Sequence, residues 1–283
     1  MHSSPASARV SIAHAHASDA AFRDPTVRTR GPDAPWDDPA MPIVCVHGVP
    51  DTPALWNPLR ARLGDREVIT PALPGFGVDA PAGFGGTRDA YAEWLVATIE
   101  AIGAPVDLVG HDWGALLVQR VAALRPDLLR TLAFGSGPLD EAYVWHDTAQ
   151  AWQTPEVGEA VMDGILALTE ADRAAILEAG GAEPDLAAEQ ARAWDRRMAD
   201  AILGLYRSAI DPGSVWPQLD APVGCPTLVL WGGADTYAPP EFGERVAART
   251  GADLAVFDGC PHWWPWSRAD EVAGALVGLW SLG

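Results

Sequence analysis

Val106-Asp107-Leu108-Val109-Gly110-His111-Asp112-Trp113-Gly114-Ala115-Leu116-Leu117 decides the fold. A short apolar run ends in Gly-His-Asp-Trp-Gly and passes at once into residues 115–124, which carry helical spacing. The run reads as a buried parallel strand. So tight a strand-to-helix turn forces its central residue into strained backbone geometry. Flanking glycines remove the side chains that would collide there. Asp112 is thereby presented at the carboxyl end of the strand, where open α/β sheets bind ligands. The N-terminus of the following helix favours its negative charge.

Working outward, residues 43–46 and 68–70 read as further strands, with a helix over 53–63 between them. The Pro74-Gly75-Phe76-Gly77 segment carries turn chemistry. Thr87 caps a helix running to about residue 102, and 129–134 is another strand. Between 138 and 218 strand-like runs vanish, and helices are expected over 157–168, 170–179 and 186–210. Strands return at 227–231 and 254–257, and a last helix covers 270–279. Alternating strand and helix predicts an α/β fold: a mostly parallel central sheet with helices on both faces. The all-helical block reads as a cap inserted in the core. The expected division is therefore a core of residues 1–137 and 219–283 and a cap of 138–218. In the weakly patterned first 40 residues, 21–23 and 27–29 are candidate edge strands.

Composition narrows the class. With 283 residues, 48% hydrophobic and 20% charged, the chain has material for a full core. Net charge is −19 and every basic residue is Arg, a balance that repels nucleic acid and anionic membranes. No apolar run approaches the roughly 20 residues that span a bilayer. The N-terminus lacks a basic region followed by an apolar stretch, so no signal peptide is expected and a cytoplasmic location is the default. The three cysteines, Cys45, Cys225 and Cys260, fit no metal motif and read as buried free thiols in a reducing compartment. His14 and His16 lack a third ligand and read as surface residues. No metal and no organic cofactor is expected, and the chain is expected to be a monomer or homodimer.

Three segments supply partners for Asp112. His47-Gly48-Val49-Pro50 follows the strand at 43–46. Asp235 follows the strand at 227–231 in Trp231-Gly232-Gly233-Ala234-Asp235. His262 follows the last strand in Gly259-Cys260-Pro261-His262-Trp263. The order is nucleophile, acid, histidine. His262 is the candidate general base and Asp235 the residue that orients it, with Asp140 a weaker candidate for the acid. Val49 and Trp113 are the candidate backbone donors of an oxyanion hole, and His47 is expected to hold its loop.

On these motifs the chain, from about residue 42 to the end, resembles the α/β-hydrolase superfamily. It looks like the branch of epoxide hydrolases and haloalkane dehalogenases, in which an Asp opens an alkyl electrophile and forms an ester. Chemistry favours Asp for that task. A serine attacking saturated carbon gives an ether, which His and water do not cleave. An aspartate gives an ester whose carbonyl carbon water can attack.

The resemblance implies a vicinal diol formed from a hydrophobic epoxide and water. Related epoxide hydrolases use two cap tyrosines as donors to the ring oxygen. Tyr206, in Leu205-Tyr206-Arg207, resembles the second. For the first, Tyr143 stands early and the family position falls nearer Thr148, with Trp145, His146 or Trp152 as substitute donors. The wider pocket is expected to include His47, Trp113, Tyr143, Trp145, His146, Trp152 and Trp263. The alternative is a haloalkane dehalogenase, with Trp113 and a cap Trp (145, 152 or 194) holding halide, since the Val49 side chain cannot donate. Fluoroacetate-type activity is disfavoured because no Arg stands beside Asp112. A non-catalytic ligand-binding protein on the same fold is a third reading. The complete Asp112–Asp235–His262 set argues against it, because a binding module needs no general base.

Overall fold

The strands β1 (Val10–Ala13), β2 (Ile43–Val46), β3 (Val68–Ile69), β4 (Val106–His111), β5 (Leu129–Gly135), β6 (Thr227–Gly232) and β7 (Asp253–Phe257) form one sheet in the order β1-β7-β6-β5-β4-β2-β3. They belong to a computed structural model that describes residues 10–13, 41–103, 105–137, 140–211, 216 and 218–281. β2 to β7 run parallel, and β1 pairs antiparallel with β7. β2, β4 and β5 are buried at every residue, as apolar strands of a parallel sheet covered on both faces must be. The candidate edge strands at 21–23 and 27–29 and the pair His14 and His16 lie outside the described residues.

Helices surround the sheet: α1 (Asn57–Arg60), α2 (Arg88–Ile102), α3 (Trp113–Leu124), α4 (Asp147–Gln153), α5 (Val157–Ala167), α6 (Glu170–Ala179), α7 (Pro184–Ala193), α8 (Arg196–Arg207), α9 (Pro240–Thr250), α10 (Trp264–Ser267) and α11 (Ala269–Trp280). The Thr87 hydroxyl accepts the Ala90 N–H at 3.2 Å and so caps α2, as its position implied. Two expected helices differ. The segment 53–63 is a 3-10 turn over Pro53–Trp56 followed by the single turn α1. The expected helix 186–210 is two. α7 stops at Trp194, and Asp195 turns out of helical geometry to cap α8 by accepting the Met198 N–H at 3.0 Å. α4 was not expected from the sequence.

α4 to α8 fall between β5 and β6, so the chain leaves the sheet after Gly135 and returns at Thr227. α4 packs on α5 and α8, α6 packs on α7, and α7 rests on the Pro53–Trp56 turn of the core. Asp107, the one carboxylate inside β4, is fully buried. It is matched by the Arg130 guanidinium, the Thr131 hydroxyl at 2.7 Å and Arg66 at 3.1 Å. Breaking such a network from one side strands the remaining charges, so it fixes where β4 sits against β5.

The start of α3 is pressed against β2. A Cβ on Gly114 would collide with the carbonyl oxygens of Val46 and His47, backbone atoms that cannot swing aside. Gly114→Ala is therefore expected to lower the free energy of unfolding by about 3 kcal/mol, within the range of strained core substitutions. Denaturant titration checks this; a midpoint equal to wild type would show that β2 and α3 can separate freely.

Candidate active site

Because the strands are parallel, their carboxyl ends share one edge, and five loops converge there. Val49 and Asp51 follow β2, Asp112 follows β4, Ser136 follows β5, Asp235 and Tyr237 follow β6, and His262 and Trp263 follow β7. Asp112 has φ 53° and ψ −123°, a conformation L residues rarely adopt. Its N–H donates to the Gly135 carbonyl at 3.1 Å, and its own carbonyl accepts from Ala115 at 2.8 Å and Leu116 at 3.2 Å. The strain is thus held by β5 on one side and α3 on the other.

The Asp112 carboxylate is clamped in one orientation. Oδ1 accepts the Val49 N–H at 2.7 Å, and Oδ2 lies 3.6 Å from His262 Nε2. The close approach of the β2 loop needs a glycine, since a Cβ on Gly48 would collide with this carboxylate. The Trp113 N–H opens α3 and is one of the amides that helix geometry leaves without an intrahelical acceptor. His262 Nδ1 donates to Asp235 Oδ2 at 2.9 Å, while Asp235 Oδ1 accepts the N–H groups of Tyr237 and Ala238, each at 2.9 Å. The Trp264 indole donates to Ser136 Oγ at 3.1 Å, and the Ser136 side chain in turn supports Asp235.

Charges set the protonation of this triad. Burial alone would lower the pKa of His262, but the charges of Asp235 and Asp112 and their hydrogen bonds raise it to about 10. Burial pushes Asp235 up, but His262 and the surrounding donors outweigh it and hold the carboxyl below its ordinary value. Tyr206 is buried and feels the Asp112 charge, so its phenol is raised well above its usual range and keeps its proton. The expected alternative acid, Asp140, is occupied elsewhere: it accepts from Arg249 at 2.7 Å and Arg245 at 3.3 Å.

A cavity of about 160 Å³ opens over Asp112 and His262. Tyr143, Trp145, His146, Trp152, Tyr206 and Trp263 all stand in its wall, as does Val49. His47 and Trp113, both expected there, do not. His47 Nδ1–H donates to the Gly48 carbonyl at 2.9 Å and Nε2 accepts from Leu73 N–H at 3.1 Å, so both nitrogens hold the loop. Trp113 lies behind the wall, stacked on Trp145 at 5.7 Å and edge-on to Tyr206 at 5.3 Å. Trp145 is no donor to a ligand, since its indole N–H is given to the Ala209 carbonyl at 2.8 Å. Tyr143 gives its hydroxyl to the Tyr237 carbonyl at 3.1 Å.

His146 is better placed. Its Nδ1 accepts the Ala149 N–H at 3.3 Å as the cap of α4, and burial lowers its pKa. The neutral ring must therefore carry its proton on Nε2.

Sequence reasoning missed a second buried group behind His262. The His111 Nε2–H donates to the His262 carbonyl at 3.0 Å, and its Nδ1 lies 3.8 Å from Asp51 Oδ2. Gln190 of α7 donates to Asp51 Oδ1 at 2.8 Å. Asp51 and His111 are fully buried. Burial drives Asp51 up to about 7 and His111 down to about 3. Both stood inside the quoted motifs, one after Pro50 and one before Asp112, and a charged residue in an apolar loop was the available signal. Gln190 offered none. Among the described residues no group of three or more His, Cys, Asp or Glu side chains is arranged to hold a metal, and no helix is long and apolar enough to cross a membrane. The thiols are unpaired; Cys45 and Cys260 are buried and Cys225 half-buried.

Comparison with known proteins accords with this arrangement. The model of the "Alpha/beta hydrolase family" matches residues 43–275. Lipase LipV of Mycobacterium tuberculosis is 28% identical over 270 residues, covering 88% of this chain and 95% of the relative. A haloalkane dehalogenase of Bradyrhizobium diazoefficiens is 27% identical over 271 residues, covering 85% and 87%. Among solved structures, an epoxide hydrolase from Vigna radiata superimposes with a TM-score of 0.69 at 18% identity, covering 84% of this chain and 90% of that one.

The raised His262 pKa has a consequence for stability. A group whose folded pKa exceeds its unfolded value binds more protons in the native state, so its contribution is complete below the unfolded pKa and disappears as pH rises through the folded one. With 6.5 as the ordinary value and about 10 in the fold, the window runs from pH 6.5 to about 10. The melting-temperature advantage of wild type over His262→Gln is expected to shrink across that window. An advantage independent of pH would mean that His262 is not held as an imidazolium.

Proposed function

The chain belongs to the alpha/beta hydrolase family, and within it we propose that it opens a hydrophobic epoxide to a vicinal diol through an ester on Asp112. The observation that carries this reading is the clamped carboxylate: Oδ1 sits on the Val49 N–H, leaving Oδ2 toward the cavity and His262. An aspartate at this turn supports alkyl transfer rather than the ester cleavage of a serine lipase. The inserted helices act as the cap, supplying Tyr206 and His146 to the cavity wall. The cavity is walled mainly by apolar and aromatic side chains with no Arg among them, which supports an uncharged hydrophobic substrate.

In the first step Asp112 Oδ2 attacks a ring carbon. The carbon–oxygen bond breaks, its electron pair goes to the ring oxygen, and that oxygen takes the Tyr206 proton while His146 Nε2–H donates a second hydrogen bond. In the second step water attacks Cγ of the ester and gives its proton to His262 Nε2. The oxyanion on Oδ1 is held by the N–H groups of Val49 and Trp113. Collapse expels the diol oxygen, which takes the proton from His262, and the regenerated carboxyl returns a proton to the Tyr206 phenolate. Esterification also removes the Asp112 charge that helps hold His262 protonated, so the imidazolium gives its proton to solvent and becomes a base only once there is an ester to cleave, taking a proton back from solvent when the Asp112 carboxylate is regenerated.

One observation favours a second reading, dehalogenation. The indole N–H groups of Trp152 and Trp194 are buried without hydrogen-bond partners and both rings stand in the cavity wall, two donors of the kind a halide would need. A single experiment separates the two. His262→Gln exposed to a hydrophobic epoxide is expected to gain the whole mass of the epoxide on Asp112, measured as intact mass and mapped by peptide digest. A gain equal to an alkyl group from a haloalkane, with none from the epoxide, would move the assignment to dehalogenation. Tyr206→Phe is expected to slow ester formation roughly 100-fold, the lower end for loss of a general acid.

A further inference from the structure

Among the described residues, Gln190 reaches the Asp51–His111 pair from the inserted helices. Gln190 is 1% exposed and lies on α7, which rests on the Pro53–Trp56 turn just after Asp51. Its Nε2 donates to Asp51 Oδ1, whereas its own Oε1 has no hydrogen-bond partner, and Asp51 Oδ2 and His111 Nδ1 face each other at 3.8 Å, beyond hydrogen-bond distance. Buried atoms left this way are expensive, and they sit beside His111, which holds the backbone carbonyl of His262. The same part of the insertion touches the catalytic loops elsewhere. Gly180, after α6, lies against the Tyr237 hydroxyl, and Gly181 against Pro261 beside His262.

We infer that Gln190 is a positioning residue through which docking of α7 on the core sets the charge behind His262 and thereby the rate of ester hydrolysis. This rests on the proposed role of His262 as the base of that step. The groups facing Asp51 are Asp112 from the turn after β4, His262 and Trp263 from the loop after β7, His111 from the end of β4, and Gln190 from α7. Asp112 and burial favour the neutral acid; Gln190, His262 and Trp263 favour the carboxylate. Among the described residues facing Asp51, Gln190 is the one that comes from the inserted helices. An ionised Asp51 stabilises the imidazolium that forms when His262 takes the water proton, so losing the donor weakens the base step and leaves the attack of Asp112 largely untouched.

The test uses the full chain with Gln190→Met, which keeps the shape and removes the donor, and Gln190→Glu, which sets a second carboxyl against Asp51. The first readout needs no substrate: side-chain ¹⁵N spectra of the histidines, titrated with pH. Removing a donor from a carboxylate raises its pKa. The inflection that His111 feels from Asp51, near pH 7 in the wild type, is expected to move up by about one unit in Gln190→Met and further in Gln190→Glu. The second readout is single-turnover kinetics with a hydrophobic epoxide. At pH 7 Gln190→Met is expected to hydrolyse the ester roughly ten-fold more slowly and to recover at higher pH, with the rate of ester formation within about two-fold of wild type. Unmoved histidine titrations in both variants would overturn the inference, as would a pH-independent loss shared equally by both steps. Were the wild type to form no ester with the epoxide, the proposed reaction would fall, and the substrate-free titration would still decide the role of Gln190.

Discussion

The strained backbone of Asp112 is the constraint on which the rest of the structure depends. An L residue at φ 53° and ψ −123° stays there only because neighbouring elements leave no alternative. β5 accepts its N–H, α3 begins on its carbonyl, and β2 presses so closely that positions 48 and 114 have no room for a side chain. The buried Asp107–Arg130 pair fixes β4 against β5 one strand-length below, so the turn is built on a floor that cannot slide. The outcome is a carboxylate held at hydrogen-bond distance from one backbone amide and aimed at a histidine before any substrate arrives.

Around that carboxylate the charges act on its neighbour His262. With Asp112 and Asp235 both ionised, His262 holds a proton firmly. In the proposed reaction, converting Asp112 to an ester deletes one of the two charges, and the histidine gives up its proton and is free to act on water. Behind the ring lies the buried Asp51–His111 pair, which α7 reaches through Gln190. The inserted helices therefore touch the chemistry from two sides. Tyr206 and His146 face the cavity, and Gln190 holds Asp51.

Much of this was legible in the sequence because the relevant signals are local. Short, largely apolar runs beside turn residues point to buried strands, and the sequence places strands at β2, β4, β5, β6 and β7. Asp112, Asp235 and His262 announce themselves by standing directly after such runs. What escaped depends on contacts between distant segments. The break between α7 and α8 at Trp194 leaves no Gly or Pro, only an Asp that prefers capping to continuing. His47 and Trp113 carry pocket-like side chains, but the fold turns one into the loop and the other behind the wall. Asp51 and Gln190 are 139 positions apart, and no spacing rule connects them.

The central claim is that Asp112 itself, not water, forms the first bond to the substrate. It is tested most directly by a single turnover in ¹⁸O-labelled water with enzyme in excess over a hydrophobic epoxide, followed by mass analysis of both diol and the Asp112 peptide. The account predicts an unlabelled diol, whose new oxygen came from Asp112, and one ¹⁸O in the Asp112 carboxylate. Label in the diol after that first turnover, with none in Asp112, would contradict it and make the carboxylate a base that activates water for direct attack.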